Sequence, residues 1–178
     1  DTSGLSATEF VRYEFAKDLA NGYKSGTYHI FHDGQGTIEV DGDAYGLSLL
    51  TFGVPHYICS VDATDTGVVV KIRSSNAADP IRNIRFVHED DISSYEASPF
   101  NSDLIDEHDL VSGNAVRMAN WQRINGQEET TWSDRPIKDG LQGTSKGVAI
   151  EYLVDYCNTQ YRDLWINIPH KATDAYVT

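Results

Sequence analysis

Apolar and polar residues alternate with a period of two across residues 26 to 87, in the runs TYHIFH, GTIEVD, LSLLTF, HYICSVD, GVVVKIRS and IRNIRFVH. Clusters rich in Gly and Asp (HDGQG, DGDAYG, DATDTG, SSNAADP) separate them. Alternation buries one face of a strand and wets the other, and the clusters supply turns. The segment therefore predicts an antiparallel β-sandwich of short strands. Ahead of it the period differs. In residues 6–20 Ser6 and Glu9 stand at capping-box spacing, and Val11, Phe15 and Leu19 recur every four positions. That pattern predicts an N-terminal helix, stopped by Asn21-Gly22.

Beyond residue 87 the pattern changes again. The acidic stretch HEDDISSYEASPFNSDLIDEHDLVSG is broken by Pro99 and allows at most a short helix near 102–108. AVRMANW then predicts a strand, GVAIEYLVDYCNTQ a helix with Val148, Leu153, Val154 and Cys157 inward, and DLWINIP a second strand. ATDAYVT predicts the first turn of another helix, with Thr173 as its cap and Asp174 at its start. Strand, helix, strand is a parallel crossover unit. Residues 116–121 and 163–168 are thus expected side by side, joined by a helix near 147–160. The predicted fold class is mostly β with an α/β end: lead-in and helix over 1–25, sandwich over 26–112, and an incomplete βαβ segment over 113–178.

Two βα units cannot close a barrel or cover a parallel sheet on both sides. Either the chain is a piece of a longer protein, or VRMAN and LWINI pack on the sandwich or on a neighbouring subunit. The second course predicts self-association through residues 110–178, helped by the N-terminal helix.

Composition narrows the partners. The chain has 178 residues, with 14 Lys plus Arg against 27 Asp plus Glu, a net charge of −13. Such a chain repels nucleic acid. No run approaches the ~20 apolar residues of a membrane span. The opening Asp1-Thr2-Ser3, without an initiator Met, is expected of a processed piece. Cys59 and Cys157 fit either one disulfide or two separately buried thiols. The chain has no Asn-x-Ser/Thr acceptor, which excludes N-glycosylation at that motif and leaves O-linked sugar open.

Few residues carry obvious chemistry. His29 and His32 share no strand face and no zinc pattern, and both read as ordinary sandwich residues. Asp33, Asp41 and Asp43 lie in Gly-rich turns. DGDAYG faintly echoes a calcium loop but lacks its downstream Glu, and turn chemistry accounts for it. His88-Glu89-Asp90-Asp91 reads as a solvated acidic turn, and Glu151 as a solvated helix residue. There is no phosphate loop, dinucleotide fingerprint or nucleophile with its base, so neither cofactor nor metal is expected.

The exception is QRINGQEETTWSDRP, just past the AVRMANW strand. Trp121, Arg123, Asn125, Trp132, Asp134 and Arg135 are planar or hydrogen-bonding residues, as in sugar sites, where a ring stacks on Trp and polar groups hold hydroxyls. The competing reading is a structural loop in which Asp134 pairs with Arg135 and both Trp rings plug the mouth of the fold. Asn167 and His170 end the next strand and join the candidate carbohydrate site.

Taken in order, NGYKSGTYHIFHDGQGTIEV, NAADPIRNIRFV, YEASPF, VRMANWQRIN, TTWSDRP, GVAIEYLVDYCN and DLWINIPHKATDAYV resemble a family of secreted proteins. Its members join an N-terminal β-sandwich to a glycosidase-like (β/α)8 barrel, often with cellulose-binding modules. The similarity runs from about Asn21 and is most specific over residues 116–177. It implies that VRMANW is the first barrel strand, that QRINGQEETTWSDRP is the first loop at the face where barrels place their sites, and that DLWINIP is the second strand. It also implies an extracellular setting and a polysaccharide or glycan partner. The paired carboxylates of such barrels come from later strands, so this chain alone is expected not to hydrolyse a glycoside. Two alternatives stand beside a non-catalytic carbohydrate-associated module: a structural subunit of an extracellular, O-glycosylated fibre or coat, and a fragment of an active glycoside hydrolase.

Overall fold

A computed structural model of the chain describes residues 11–15, 22–53, 55–100, 105 and 113–178. The chain forms two compact units, Asp1–Pro99 and Phe100–Thr178. The described fold is mostly antiparallel sheet with little helix. Among the described residues no helix is long and apolar enough to cross a membrane, which says nothing of a β-barrel.

The first unit holds seven strands: β1 (Val11–Phe15), β2 (Gly26–Asp33), β3 (Gly36–Gly42), β4 (Ala44–Leu50), β5 (His56–Val61), β6 (Val68–Ser75) and β7 (Arg82–His88). They form two sheets, in the orders β1-β6-β3 and β4-β5-β2-β7, with every pairing antiparallel. All six period-two runs of the sequence are strands here. Tyr28, Ile30, Ala44, Cys59, Val61 and Val68 form a buried cluster that Phe15, Val40, Leu47 and Phe86 pack against. The cluster draws on both sheets, because successive strands repeatedly pass from one sheet to the other.

Those crossings need tight corners. Gly34, between β2 and β3, has φ +80°, and a Cβ there would stand 2.0 Å from the Pro80 carbonyl oxygen, so only glycine fits. At the β3–β4 corner Asp43 is buried and binds the β5–β6 connection. Its carboxylate accepts hydrogen bonds from Thr64 N (2.8 Å), Thr64 Oγ1 (2.6 Å), Gly67 N (3.2 Å) and the Tyr23 hydroxyl. Burial pushes the Asp43 carboxyl up, but these donors together outweigh it and hold the group below the usual carboxylate range. The same contact, after burial, pushes the Tyr23 phenol up to about 12.

The expected N-terminal helix is corrected. Val11–Phe15 is a strand paired with β6, with Val11 opposite Ile72 and Phe15 opposite Val68. Val11, Tyr13 and Phe15 also fit a period of two, and they are β-branched or aromatic. β6 has β3 on one side, so its other edge offers unpaired backbone groups that this segment satisfies. The rest of 6–20 lies outside the described residues. So does the short helix expected at 102–108, apart from Ile105, which is helical.

In the second unit β8 (Ala115–Arg117) pairs in parallel with β9 (Asp163–Trp165), and α1 (Ile150–Thr159) lies between them in sequence. The expected adjacency is present, on strands of three residues each. Past Arg117 the backbone coils into a turn, with Gln122 N donating to Met118 O (3.0 Å) and Arg123 at φ +51°. α1 buries Leu153, Tyr156 and Cys157 against Met118, Val116, Leu164, Trp121 and Phe100. Val154, expected inward, is 41% exposed, and Tyr156 takes the inner position. A short helix, α2 (Asp174–Val177), starts after Thr173, which makes no side-chain capping bond.

Cys59 and Cys157 are free thiols here, each buried in the core of its own unit.

Candidate functional site

Because β8 and β9 are parallel, the segments leaving their C-terminal ends emerge on the same side. Between them lies a cavity of about 170 Å³. The loop after β8 contributes Gln122, Gln127, Glu129, Trp132 and Arg135, and the chain after β9 contributes Asn167, Pro169 and Tyr176. Val148, Ile150, Ile166 and Ile168 supply apolar wall.

Side-chain amides build the floor. Gln122 Oε1 accepts from Asn167 N and Nδ2, both at 3.0 Å, while its Nε2 donates to Asn167 O at 3.1 Å. Gln127 Nε2 donates to Gln122 O at 2.6 Å, and Arg117 donates to Asn167 Oδ1 at 3.1 Å. The two segments are thus stitched together by paired amides where no backbone ladder continues. Gly147, at φ +85°, lets the segment before α1 pass close to the loop: a Cβ there would lie 2.3 Å from Trp121 O. In exchange Val148 N donates to that carbonyl at 2.8 Å.

Trp132 opens a 3-10 turn, Trp132–Asp134. Asp134 Oδ2 accepts from Thr131 N (2.8 Å), Thr131 Oγ1 (3.0 Å), Thr130 Oγ1 (3.1 Å) and Thr130 N (3.2 Å). The Thr131 backbone bond leads the effects that hold the Asp134 carboxyl down at about 2. The expected Asp134–Arg135 pair is therefore corrected, because Asp134 is spent on the turn. Arg135 instead reaches Glu151 on α1 at 2.7 Å, donates to Trp132 O at 3.3 Å and lies over the Trp132 ring at 4.1 Å from its centroid. Glu151 is thus an ion-pair partner and not a free solvated residue. Tyr176 meets the other aromatic edge-on, with ring centroids 5.4 Å apart.

Of the eight residues singled out by sequence, Trp132, Arg135 and Asn167 line the cavity. Asp134 does not line it and instead fixes the Thr130–Thr131 turn. Trp121 does not reach it and packs against Phe100 and Tyr156 in the core, with centroids at 6.4 and 5.9 Å. Arg123, Asn125 and His170 are exposed and do not line it. Gln122, Gln127, Glu129 and Tyr176 were missed. Glu128 and Glu129 are adjacent and identical in type, yet Glu128 is exposed on Lys171 while Glu129 is only 5% exposed. No local pattern distinguishes them.

The first unit has a more open cleft of about 340 Å³ lined by His29, Phe31, His56, Ile92, Tyr95 and Glu96. His29 Nδ1 lies 2.7 Å from His56 Nε2, and Phe31 stacks between His56 and Tyr95 at 4.5 and 5.0 Å. Burial first, then His56, lowers the His29 pKa, against a smaller opposite pull from Glu89. Among the described residues no group of three or more His, Cys, Asp or Glu could hold a metal ion.

No protein-family profile, no curated protein and no solved structure matches the chain.

Proposed function

We propose that this chain is a non-catalytic, carbohydrate-associated extracellular module: a β-sandwich followed by the opening strands of a glycosidase-like barrel. The cavity beyond β8 and β9 carries the reading. It combines a half-exposed Trp132, a Tyr176 ring and a floor of amides and a carboxylate, on the side where the C-terminal ends of parallel strands present their loops. Aromatic planes and fixed polar groups together suit a sugar, whose C–H face is apolar and whose rim is hydroxyl. The extracellular setting and the barrel rest on the family resemblance. Titration of soluble oligosaccharides into the chain tests the proposal. Saturable binding lost in Trp132→Ala, with no release of reducing ends beyond a boiled control, is the expected result. Turnover would favour a hydrolase fragment, and no binding would overturn the proposal.

Self-association is a second reading, favoured by one observation. Among the described residues the β8–β9 sheet has two strands, and Trp165 at the end of β9 and Ile168 just beyond it are 59% and 45% exposed. A fibre or coat subunit would cover such a surface against another copy. Sedimentation at micromolar concentration separates the two readings, since a monomer removes the second.

A further inference from the structure

The turn that leads into Gln127 is built on Asn125-Gly126, and both residues are exposed. This pair can react with itself. The Gly126 backbone nitrogen can attack the Asn125 side-chain carbonyl carbon and close a succinimide ring. Two brakes ordinarily slow that closure: a side chain on the following residue, which crowds the nitrogen, and hydrogen bonds that hold the amide. Both are missing here. Gly126 has no side chain, and beyond its chain neighbours no atom lies within 4 Å of where a Cβ would stand. Among the described residues neither the Asn125 side chain nor the Gly126 N–H makes a hydrogen bond. With φ at +85°, the turn itself demands the glycine that leaves the nitrogen open.

Other asparagines supply the contrast. Asn76 donates to Gln35 and accepts from Ala78 N, Asn83 donates to Asp33 at 2.6 Å, and Asn167 is held by Gln122 and Arg117. None of these three is followed by glycine. Asn21-Gly22 repeats the pair, with Asn21 outside the described residues. We propose that Asn125 converts spontaneously in the folded chain, and that its isoaspartate form loosens the Gln127 tie beneath the cavity. The Gly126 nitrogen gives its proton to water and bonds to Asn125 Cγ, and the side-chain nitrogen leaves as ammonia. Water then opens the ring. Cleavage of the bond from Gly126 N to Cγ yields aspartate. Cleavage at the Asn125 main-chain carbonyl yields isoaspartate, whose main chain is one carbon longer. The conversion needs water alone and stands apart from the carbohydrate reading. Its extra length falls just before Gln127, which is buried, lines the cavity and donates to Gln122 O at 2.6 Å. That bond needs Gln127 in one place, and a longer turn moves it.

The test ages the 178-residue chain in warm, mildly alkaline buffer, folded and unfolded in guanidinium, and follows each asparagine by peptide mapping. Asn125 in the folded chain converts within about tenfold of its unfolded rate, while Asn76, Asn83 and Asn167 fall more than about tenfold behind it. A folded rate for Asn125 more than about tenfold below the unfolded one means that the turn shields the pair, and overturns the inference. So does equal conversion at the three tied asparagines. Hydrogen exchange over residues 122–129 then compares the aged chain with the fresh one. Faster exchange in the aged chain, absent from Asn125→Gln aged alongside it, is the expected result. Equal exchange in aged and fresh chain, with isoaspartate present, overturns the effect on Gln127. Faster exchange that also appears in aged Asn125→Gln puts the cause elsewhere and overturns it too. The fresh chain is the main reference, so the comparison survives a variant that fails to fold.

Discussion

The two units hold their chain in different ways. In the first, backbone ladders do most of the work: seven strands of five to eight residues pair edge to edge, and apart from the Asp43 corner the side chains mainly fill the core. In the second, the paired strands are three residues long and most of the chain is irregular. Side chains there replace the missing ladder. Gln142 donates to Gly140 O (2.7 Å) and Ile137 O (2.8 Å) and accepts from Ala149 N (2.8 Å). Gln122 and Asp134 do the same for their own segments. A ladder satisfies backbone groups without regard to side-chain type, whereas such ties need particular amides and carboxylates in particular places. The polar cavity is a product of the second style.

Core truncations give the largest expected effects. Ile30 and Leu153 are both fully buried, in separate clusters. Ile30→Ala and Leu153→Ala should each cost about 2–5 kcal/mol. Hydrogen exchange should show the loss concentrated in the mutated unit. Equal loosening of both would break the comparison.

Backbone fit comes next. Gly34→Ala and Gly147→Ala each place a Cβ at positive φ and against a carbonyl oxygen. Strained backbone of this kind costs about 1–3 kcal/mol before any clash, so both variants should lower the melting midpoint by several degrees. Gly147→Ala should also weaken ligand binding, because it pushes on the Trp121–Gln122 backbone beneath the cavity. Gly34→Ala should leave binding alone.

Acid sharpens the comparison with a smaller effect. The folded Asp134 pKa of about 2 is below its ordinary value of 3.8, so its contribution is fully present above about pH 4 and is lost as pH falls towards 2. Asp134→Asn should therefore destabilise the loop near neutral pH, and the difference from the unaltered chain should close as melts approach pH 2. A difference that persists unchanged at pH 2 would mean that the ties do not depend on the carboxylate's charge.

A surface pair should matter least. Arg73 and Glu39 meet at 2.7 Å across β3 and β6, with Glu39 half exposed. Glu39→Gln should change stability by no more than about 1 kcal/mol, and by less in high salt. A larger loss would show that the first unit leans on side-chain ties on its open sheet faces as well as at the Asp43 corner.

This contrast also explains what could be read beforehand. The β2–β7 strands were legible because alternation records burial directly, and the parallel β8–β9 pairing followed from element order. Val11–Phe15 was not, since five residues with apolar positions at both two- and four-residue spacing suit either element, and a vacant edge on β6 decided it. Trp132, Arg135 and Asn167, singled out for their unusual chemistry, line the cavity. Glu129 was hidden because its burial depends on how an irregular loop closes. Trp121 misled for the opposite reason: its sequence neighbours are polar, but its ring faces Tyr156.

Each core also carries one sulfhydryl. Burial pushes the Cys59 thiol up to about 11, and burial, then Asp163, raises that of Cys157. The thiolate is the form that attacks a reagent, so both sulfurs are chemically silent while their cores stay shut. The chain therefore contains its own pair of clocks. A maleimide that reacts only on opening would time the ladder-built core at Cys59 and the side-chain-tied core at Cys157, and mass mapping of the labelled peptides would read the two rates from one unaltered molecule.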